Sequence, residues 1–426
     1  MKTYKIGIIG LGYVGLPLAI EFAKNYLVCG FDINEKRILE LTNGVDVTLE
    51  SNSKDLINAM TISNDKGLLL TSNLNQLSEC NIFIITVPTP IDKYKAPDLG
   101  PLLNASKMVG SILKKNDIVI FESTVYPGCT EEDCVPVLEK YSNLNYNKDF
   151  FCGYSPERIN PGDKINTLTN ILKVTSGSNE ETSFIVDNLY KSIIKAGTYL
   201  APSIKVAEAS KAIENAQRDV NISFVNELAL IFDKIGIDTT DVLNAAATKW
   251  NFLKYSPGLV GGHCIGVDPY YLAHKAQSLG YNPQVILSGR RVNDNMGVFV
   301  ANKVIKLMIK KGHKIDGSNV LILGVTFKEN CPDLRNSRVI DIYDELKQFG
   351  IDVSVFDPHA DKQDVLKEYN IELEKELELK KFDSIILAVA HNEFLNLNYS
   401  SIKKNENSVI FDIKSVLNRD IVDSRL

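Results

Sequence analysis

The stretch Lys5-Ile-Gly-Ile-Ile-Gly-Leu-Gly-Tyr-Val-Gly15 decides the fold of the first part of the chain. An apolar strand leads directly into glycines at positions 10, 12 and 15, the spacing GxGxxG, and an apolar helix pattern follows. In this strand–turn–helix setting, bare glycine backbone and the N-terminus of a helix can hold a pyrophosphate group. The stretch therefore predicts a doubly wound dinucleotide-binding domain.

A second strand, Leu27-Val-Cys-Gly-Phe31, ends in Asp32. An acid about 20 residues after the first glycine lies where a contact with the ribose 2′-hydroxyl is expected. Because a carboxylate there repels a 2′-phosphate, we predict NAD rather than NADP as the cofactor. Arg37 follows on a short helix, and both a cofactor contact and a solvated surface charge fit its position.

Later strands of this region also end in polar turns, and open α/β sheets bind ligands at the carboxyl ends of their strands. The strands 81–87, 118–121 and 150–154 are followed by Pro88-Thr-Pro90, Glu122-Ser-Thr124 and Ser155-Pro-Glu-Arg158. Thr124 fits either a contact with nicotinamide or substrate, or a cap of the next helix. Strands and helices alternate to about residue 200, so we predict one domain at residues 1–200.

Residues 203–235 carry apolar or small side chains at helical spacing. Lys211 and Asn215 lie four residues apart on a neighbouring face. A lysine beside an apolar stripe usually extends its charged end to solvent. With further helices predicted around 241–248 and 285–311, we predict a helical middle domain at residues 201–312.

A Gly-rich loop, Gly258-Leu-Val-Gly-Gly-His-Cys-Ile-Gly-Val-Asp-Pro269, lies within the middle domain. Glycines lack Cβ and let a backbone approach a ligand closely. Cys264 has His263 beside it and Asp268 four residues later, which makes its thiol a candidate nucleophile. The alternative is that Cys264 is a small buried hydrophobic residue.

Strands return in residues 313–426, which predicts a second, shorter α/β domain. Asn319–Val325 is a strand pattern, and the polar loop 326–337 that follows it contains Lys328 and Arg335, a site suited to anions. The predicted fold class is α/β, with two doubly wound Rossmann-like domains joined by a helical middle domain.

The rest of this last domain is predicted from shorter patterns. A helix is expected at 338–349 with Gly350 at its C-cap. Strands are expected at 353–356 and 384–389, and the charge-rich run 366–381 is predicted to be a solvated helix.

The composition excludes several classes of protein. Hydrophobic content of 44% and charged content of 23% are those of a globular protein. A net charge of -6 without a basic cluster argues against nucleic-acid binding. No apolar run approaches the roughly 18 residues of a membrane span. The seven cysteines show no CxxC spacing, so we predict a cytoplasmic protein with reduced thiols and no bound metal.

These motifs together resemble the UDP-glucose/GDP-mannose dehydrogenase family, over essentially the whole chain. The shared motifs are the loop 10–15, Ser123-Thr124, Ser155-Pro-Glu157, Lys211 with Asn215, Gly261-Gly-His-Cys264 with Asp268, and Phe327-Lys328 with Arg335. Further details resemble the bacterial UDP-N-acetylhexosamine 6-dehydrogenases, above all the UDP-N-acetylglucosamine branch of surface-polysaccharide pathways. They are Ser155-Pro-Glu-Arg-Ile-Asn-Pro-Gly162, Lys249-Trp-Asn-Phe-Leu253 and Phe327-Lys-Glu-Asn-Cys-Pro-Asp-Leu-Arg-Asn336.

The resemblance implies oxidation of the sugar C6 alcohol to a carboxylate with two NAD+. The first hydride transfer gives an aldehyde, which the Cys264 thiolate captures as a thiohemiacetal. The second gives a thioester, which water releases as the acid. UDP-N-acetyl-D-glucosamine is the favoured substrate; UDP-N-acetylgalactosamine, UDP-N-acetylmannosamine and UDP-glucose are the alternatives.

The resemblance also implies roles for individual residues. Lys211 would stabilise the alkoxide and oxyanion, Asn215 would hydrogen-bond the same oxygen, and Asp268 would position or activate the water. Glu157 is the candidate base for thioester hydrolysis. The implied cofactor contacts are Gly10, Gly12, Tyr13, Val14, Gly15, Asp32, Arg37, Thr86, Thr89, Thr124 and Arg335. The implied contacts with the nucleotide sugar are Glu157, Arg158, Lys211, Asn215, Phe252, Tyr255, Gly261 and Lys328.

In this family the middle helices form a dimer interface, so the resemblance implies a homodimer or larger homo-oligomer. One rival reading is a β-hydroxyacid dehydrogenase, which transfers a single hydride; Cys264 and residues 318–426 argue against it. A short-chain epimerase would use a Tyr-x-x-x-Lys pair, and Tyr271 and Lys275 have that spacing. That pair lies outside the dinucleotide fold, and we interpret it as chance. The third rival, a non-catalytic UDP-sugar sensor, has no support, because every proposed catalytic position is filled.

Overall fold

The computed structural model describes residues 4–63, 65–92, 94–159, 166–262, 265–377 and 380–426. The chain divides into two compact units. The first contains residues up to 214 together with 270–280, and the second contains 215–269 and 281–426. His263 and Cys264 lie outside the described residues.

The first unit is built on an eight-stranded sheet with the order β3-β2-β1-β4-β5-β6-β7-β8. Its strands are β1 (Lys5–Ile9), β2 (Leu27–Phe31), β3 (Gly67–Thr71), β4 (Ile82–Ile85), β5 (Ile118–Phe121), β6 (Phe151–Tyr154), β7 (Lys173–Gly177) and β8 (Thr198–Leu200). Neighbouring strands are parallel except for β6 and β7, which are antiparallel. The order 3-2-1-4-5-6 of the first six strands is that of a dinucleotide-binding sheet.

Helices connect these strands, and buried apolar residues of several helices pack against the sheet. They are α1 (Gly15–Ala23), α2 (Glu35–Thr42), α3 (Ser53–Ala59), α4 (Gly100–Gly110), α5 (Val135–Ser142) and α6 (Glu180–Lys191). Asparagine caps begin three of them: the side chain of Asn34 accepts the N–H groups of Lys36 and Arg37, Asn52 accepts that of Asp55, and Asn179 accepts that of Thr182. Such caps satisfy N–H groups that have no partner within the helix.

The middle of the chain is helical. Its helices are α7 (Ile204–Ile235), α8 (Thr239–Ala246), α9 (Asp268–Ser278), α10 (Gln284–Asp294) and α11 (Met296–Lys310). The single helix predicted at 285–311 is wrong, because the chain forms two helices that meet at Asn295, which ends α10 and precedes α11.

The second unit contains a five-stranded parallel sheet with the order β10-β9-β11-β12-β13. Its strands are β9 (Asn319–Leu323), β10 (Asp352–Phe356), β11 (Ser384–Leu387), β12 (Val409–Asp412) and β13 (Ser424–Arg425). Its helices are α12 (Val339–Gln348), α13 (Lys362–Tyr369), α14 (Asn392–Leu395) and α15 (Tyr399–Ile402). The helix predicted at 366–381 is wrong in its bounds: α13 ends at Tyr369, and Asn370 takes a left-handed conformation after it.

Both faces of this second sheet are buried. Val320 and Ile322 of β9 pack into one apolar cluster, whereas Leu321 and Leu323 pack into another on the opposite face. Side chains alternate between faces along a strand, so strands covered on both sides read as continuous apolar runs. The predicted fold class, two Rossmann-like domains joined by a helical middle part, is confirmed. Among the described residues, no helix is both long and apolar enough to cross a membrane.

Candidate active site

The glycine loop after β1 is tightly packed at Gly10 and Gly15 and open at Gly12. The N–H of Gly10 donates to the carbonyl of Phe31 at 2.8 Å, and Gly10 has a φ of 96°. A Cβ on Gly15 would lie 1.8 Å from the carbonyl oxygen of Gly10, so only glycine fits there. At Gly12, by contrast, no heavy atom of the described chain lies within 4 Å of a Cβ position. The backbone at Gly12 is therefore accessible to a ligand.

Asp32 and Arg37 both hold this loop. Asp32 accepts the N–H of Leu11 at 2.9 Å, and the Nε of Arg37 donates to the carbonyl of Leu11 at 3.0 Å. Arg37 is 7% exposed, which excludes the reading of a solvated surface charge. Its Nη2 donates to Asp46 at 2.8 Å, while its buried Nη1 has no hydrogen-bond partner among the described residues. Burial alone would raise the pKa of Asp46, but hydrogen bonds from Thr48 and Arg37 hold that pKa below its ordinary value.

The threonines at the ends of β4 and β5 connect neighbouring loops. The hydroxyl of Thr86 donates to the carbonyl of Gly10 at 2.7 Å, and that of Thr89 donates to the carbonyl of Thr124 at 2.7 Å. The hydroxyl of Ser123 donates to the carbonyl of Val87 at 2.6 Å. The three predicted threonines thus gather at one edge of the first sheet, beside the glycine loop.

Glu157 lies just after β6 in a buried cluster of charges. Its Oε1 accepts the N–H groups of Arg158 and Ile159, both at 2.6 Å. Its Oε2 accepts a hydrogen bond from the Nζ of Lys173 at 2.9 Å. Lys173 donates equally to Glu122 at 2.9 Å, and it is 2% exposed. Sequence reasoning missed Lys173; a lysine between the apolar residues Leu172 and Val174 was the only signal.

Arg158, a predicted substrate contact, forms an ion pair with Glu214. Its Nη2 lies 2.8 Å from the Glu214 carboxylate, and its Nη1 donates to the carbonyl of Leu172 at 2.8 Å. About a third of each charged side chain is exposed, so the pair contributes little to stability and can open for an anion.

Lys211 and Asn215 lie one turn apart on α7 and are both buried, at 8% and 7% exposure. The burial of Lys211 argues against the alternative of a lysine extended to solvent. In the second unit, the Nδ2 of Asn215 donates to the carboxylate of Asp268 at 2.5 Å, at the N-terminus of α9. Asp268 is 1% exposed, so this hydrogen bond fixes the residue that closes the Cys264 loop.

The other end of the Cys264 loop is held by Asn226 of α7. The Nδ2 of Asn226 donates to the carbonyl of Gly258 at 3.0 Å, and the N–H of Gly258 donates to Oδ1 of Asn226 at 2.8 Å. Asn293 accepts a further hydrogen bond from Asn226 at 2.8 Å. Sequence reasoning missed Asn226, because a polar residue within a long helix pattern carries no sign of a partner distant in sequence.

The glycines before Cys264 pack against the loop after β9. The N–H of Gly262 donates to the carbonyl of Asn336 at 3.2 Å. A Cβ on Gly261 would lie 2.5 Å from that same oxygen, and one on Gly262 would lie 2.8 Å from the ring of Phe327. Glycine is required at both positions for this close approach. Gly261 and Gly262 are thus held against the loop after β9.

The loop 326–337 presents the predicted anion contacts Lys328 and Arg335. The Nε of Arg335 donates to Asp333 at 3.0 Å. The hydroxyl of Thr326 donates to the carbonyl of Lys328 at 3.0 Å. Phe252 and Tyr255 line a separate cavity of about 270 Å³ in the second unit, together with Lys414, which sequence reasoning did not single out.

No group of three or more His, Cys, Asp or Glu side chains suited to a metal ion occurs in the described parts of the chain. The first unit contains an open glycine loop, and α7 carries a buried lysine and a buried asparagine one turn apart.

Three models of the UDP-glucose/GDP-mannose dehydrogenase family match the chain. The NAD binding domain matches residues 4–194, the central domain 205–295 and the UDP binding domain 321–419. A UDP-N-acetyl-D-glucosamine 6-dehydrogenase of Pseudomonas aeruginosa is 57% identical over 428 residues, covering 100% of both chains. The protein of that name from Salmonella typhi is 56% identical over 424 residues, covering 99% of this chain and 98% of the other.

A solved structure of similar fold is the UDP-D-ManNAc dehydrogenase of Pyrococcus horikoshii. Its TM-score is 0.87 at 28% sequence identity, and the match covers 99% of this chain and 98% of the other.

Proposed function

The chain belongs to the UDP-glucose/GDP-mannose dehydrogenase family, and we propose that it oxidises UDP-N-acetyl-D-glucosamine at C6 to the uronic acid. The observation that carries this choice of sugar is the 57% identity over the whole chain with the Pseudomonas aeruginosa enzyme that is named for this substrate. The archaeal structure named for UDP-D-ManNAc shares the fold at only 28% identity.

NAD is the cofactor of this family, and the first unit fits it. The open backbone at Gly12 suits a pyrophosphate, and the buried Nη1 of Arg37 is available to an acceptor. Asp32 at the end of β2 suits a ribose hydroxyl. We assign the remaining contacts to the loop 10–15, including Tyr13 and Val14, and to Thr86, Thr89 and Thr124. When bound, NAD+ accepts the hydride that leaves C6. Arg335 stays a predicted cofactor contact.

Cys264 is the proposed nucleophile. Its thiolate adds to the C6 aldehyde and keeps that carbon bound for the second oxidation, which yields a thioester. The anchors at Gly258, Gly262 and Asp268 support this role, because they fix the loop on both sides of the thiol. A fixed loop holds reacting atoms in place, and that positioning lowers the barrier.

Lys211 and Asn215 are proposed to stabilise the negative oxygen on C6. The ammonium group of Lys211 supplies positive charge, and Asn215 supplies a hydrogen bond. Their burial supports the role, because electrostatic stabilisation is strongest where water is excluded. Asp268, which accepts the hydrogen bond of Asn215, orients that amide and helps to position the water.

Glu157 is proposed to take the proton from the water that attacks the thioester. Substrate contacts are proposed for Arg158, Phe252, Tyr255, Gly261 and Lys328. The cavity beside Phe252 and Tyr255 and the ion pair of Arg158 with Glu214 support this assignment, because both provide polar groups next to open space.

The physiological setting is also a proposal. We infer that the uronic acid supplies surface polysaccharides such as capsule or O-antigen, and that the enzyme works in the cytoplasm. We also propose a homodimer formed through α7. In support, α7 leaves several large apolar side chains exposed, and these are Val206, Ile213, Phe224, Ile231 and Ile235.

The proposal is tested by supplying purified enzyme and NAD+ with one UDP-sugar at a time. The panel is UDP-N-acetylglucosamine, UDP-N-acetylgalactosamine, UDP-N-acetylmannosamine and UDP-glucose, with mass spectrometry of the products. We expect the uronic acid of N-acetylglucosamine with a kcat/KM at least about tenfold above the others, since a polar pocket that reads one hydroxyl discriminates strongly. A higher kcat/KM for another sugar would reassign the substrate, and no acid from any of them would refute the function.

A further inference from the structure

Four ionisable side chains form a buried chain behind Glu157. Tyr190 of α6 donates its hydroxyl to Oε1 of Glu122, and Glu122 accepts a second hydrogen bond from Lys173 through Oε2. Lys173 then donates to Oε2 of Glu157. The cluster therefore draws on the end of β5, the segment after β6, the start of β7 and α6.

Burying these charged side chains costs free energy of folding. Tyr190 is fully buried, Lys173 and Glu122 are 2% exposed, and Glu157 is 9% exposed. Removing charges from water costs more than their mutual attraction returns unless they are well hydrogen-bonded, and an apolar packing of the same volume is often as stable. A lysine shared between two carboxylates is thus poor support for a purely structural role.

Glu157 differs from the other three residues in its exposure and in its backbone hydrogen bonds. Glu157 is the least buried of the four residues, at 9% exposure, and belongs to the segment that follows β6. Three donors fix the Glu157 carboxylate: two backbone N–H groups at 2.6 Å on one oxygen and the Lys173 ammonium at 2.9 Å on the other. These backbone N–H groups and Lys173 therefore fix the orientation of the Glu157 carboxylate and favour its ionised form.

We propose that Lys173 is a positioning residue for Glu157, which it holds as the base for thioester hydrolysis, and that Glu122 limits this effect by sharing the lysine. This inference rests on the proposed function. In the step, Glu157 takes one proton from water, the resulting hydroxide oxygen bonds to C6, and the C–S bond breaks. Cys264 leaves as the thiolate with the electron pair of that bond, so atoms and charge balance.

The electrostatics agree with this arrangement. Burial alone would raise the pKa of Glu157, but the charge and hydrogen bond of Lys173 hold it below its ordinary value. For Glu122, burial dominates and raises the pKa to about 7, although Lys173 and the Tyr190 hydroxyl act against it. Glu157 is therefore the carboxylate that stays charged at neutral pH, whereas Glu122 shares the lysine and weakens its effect.

Two variants test the proposal, because they move the pH dependence in opposite directions. Lys173→Met removes the cation, so the pKa of Glu157 should rise and the acid limb of the kcat profile should move up by about one pH unit or more. Glu122→Gln keeps the shape and a hydrogen bond to Lys173 but removes the competing carboxylate, so the acid limb should move down. Lys191→Met, which changes an exposed lysine of α6, is the matched control and should shift nothing.

The same variants separate hydrolysis from hydride transfer. Rapid mixing should give an initial burst of NADH in Lys173→Met, followed by a steady rate lowered by about 100-fold, as for loss of a general base. Partial recovery in Lys173→Arg would support a role of the positive charge. A lower kcat with unshifted acid limbs in both variants would overturn the proposal and leave a structural role.

NADH formation by the wild-type enzyme tests the proposed function separately from the role of the cluster. If the wild type forms no NADH from any UDP-sugar, the function itself is wrong, and the inference falls with it. If the wild type forms the acid normally while Glu122→Gln and Lys173→Met keep its pH profile, only the role of the cluster is wrong.

Discussion

The two Rossmann-like sheets begin with the same construction, yet the acid that completes it is partly exposed in the first sheet and buried in the second. In the first unit, Gly10 at the end of β1 donates its N–H to the carbonyl of Phe31 at 2.8 Å. The next N–H, of Leu11, donates to Asp32 at 2.9 Å. Asp32 also accepts the N–H of Asn34 at 2.9 Å and stays partly exposed.

The second unit repeats this pattern at the end of β9. Gly324, with a φ of 90°, donates its N–H to the carbonyl of Phe356 at 2.8 Å, and Val325 donates to Asp357 at 2.7 Å. Asp357 also accepts the N–H of His359 at 2.8 Å, two residues on, as Asp32 does. The two strand pairs therefore share these three hydrogen bonds, and Asp357 accepts two more, from the N–H groups of Thr326 and Ala360.

The difference comes from the strand that pairs with the other side of the first strand, β4 in the first sheet and β11 in the second. After β11, His391 is fully buried with its Nε2 3.0 Å from the Asp357 carboxylate. Its Nδ1 accepts the N–H of Asn330 at 2.9 Å, which places the ring proton on Nε2. Asp357 is thus covered and holds the loop 326–337, whereas Asp32 stays partly exposed. The acids at the ends of the two second strands therefore have different surroundings.

The largest expected effect concerns the loop that exists only in the first unit. Gly15→Ala places a methyl group 1.8 Å from the carbonyl oxygen of Gly10, so the loop must move. We expect the KM for NAD+ to rise by about 100-fold or more, since a misplaced loop loses several backbone contacts with the pyrophosphate. Initial rates against NAD+ concentration measure this.

Gly12→Ala is the matched control for that variant. No described atom lies within 4 Å of the new methyl group, so the folded structure and its melting temperature should be unchanged. NAD+ binding should still weaken, because the methyl group occupies the open approach. If Gly12→Ala and Gly15→Ala lost equal stability, the contrast between a packed Gly15 and an open Gly12 would be contradicted.

The next largest effect should be a change in cofactor preference when Asp32, the partly exposed acid of the first unit, is replaced. Asp32→Ala removes the carboxylate that repels a 2′-phosphate, so we expect the ratio of kcat/KM for NAD+ over NADP+ to fall by about tenfold. Burial of Asp32 is partial, so the melting temperature should change little. An unaltered ratio would remove Asp32 from cofactor selection.

Replacing Asp357, the buried acid of the second unit, should instead change the stability of the fold. Hydrogen bonds from His391 and backbone N–H groups lower the pKa of Asp357 to about 2, although burial acts against them. Because this pKa is lower in the folded chain than in the unfolded one, the stabilisation is complete above about pH 4 and is lost as the pH falls toward 2. We expect Asp357→Asn to cost about 2 kcal/mol at pH 7 and to flatten the decline of stability below pH 4.

Urea unfolding at several pH values measures that prediction. NAD+ preference should be unchanged in Asp357→Asn, in contrast to Asp32→Ala. If Asp357→Asn altered cofactor selection, the two acids would share one role and the comparison would fail.

The smallest effect should come from His391→Gln. Glutamine can accept from Asn330 or donate to Asp357, but its shape does not serve both, so the loop that carries Lys328 loosens. We expect the KM for the UDP-sugar to rise about threefold, the effect of one hydrogen bond, with the KM for NAD+ unchanged. His313→Gln, at the other end of this sheet, is the control, and an equal rise there would show a general loss of stability.

Local patterns in the sequence account for much of the first unit. The glycine spacing, Asp32 and the polar turns at strand ends were predicted, because each depends on residues close together in the chain. Asp357 was not singled out, since the loop after β9 lacks the glycine spacing that draws attention to Asp32. Lys173 and Asn226 were missed for a different reason: their partners are distant in sequence, and only the folded chain brings them together.

The break at Asn295 was also missed, because apolar spacing continues across it from α10 into α11. The strands β12 and β13 were not predicted either.

The central claim is that Cys264 captures the aldehyde and carries it into the second oxidation. The most direct test counts NADH formed per mole of UDP-N-acetylglucosamine at completion, for the wild type and for Cys264→Ala. The account predicts two NADH per sugar and the acid for the wild type, but at most one NADH and no acid for the variant. Two NADH per sugar from Cys264→Ala would contradict it.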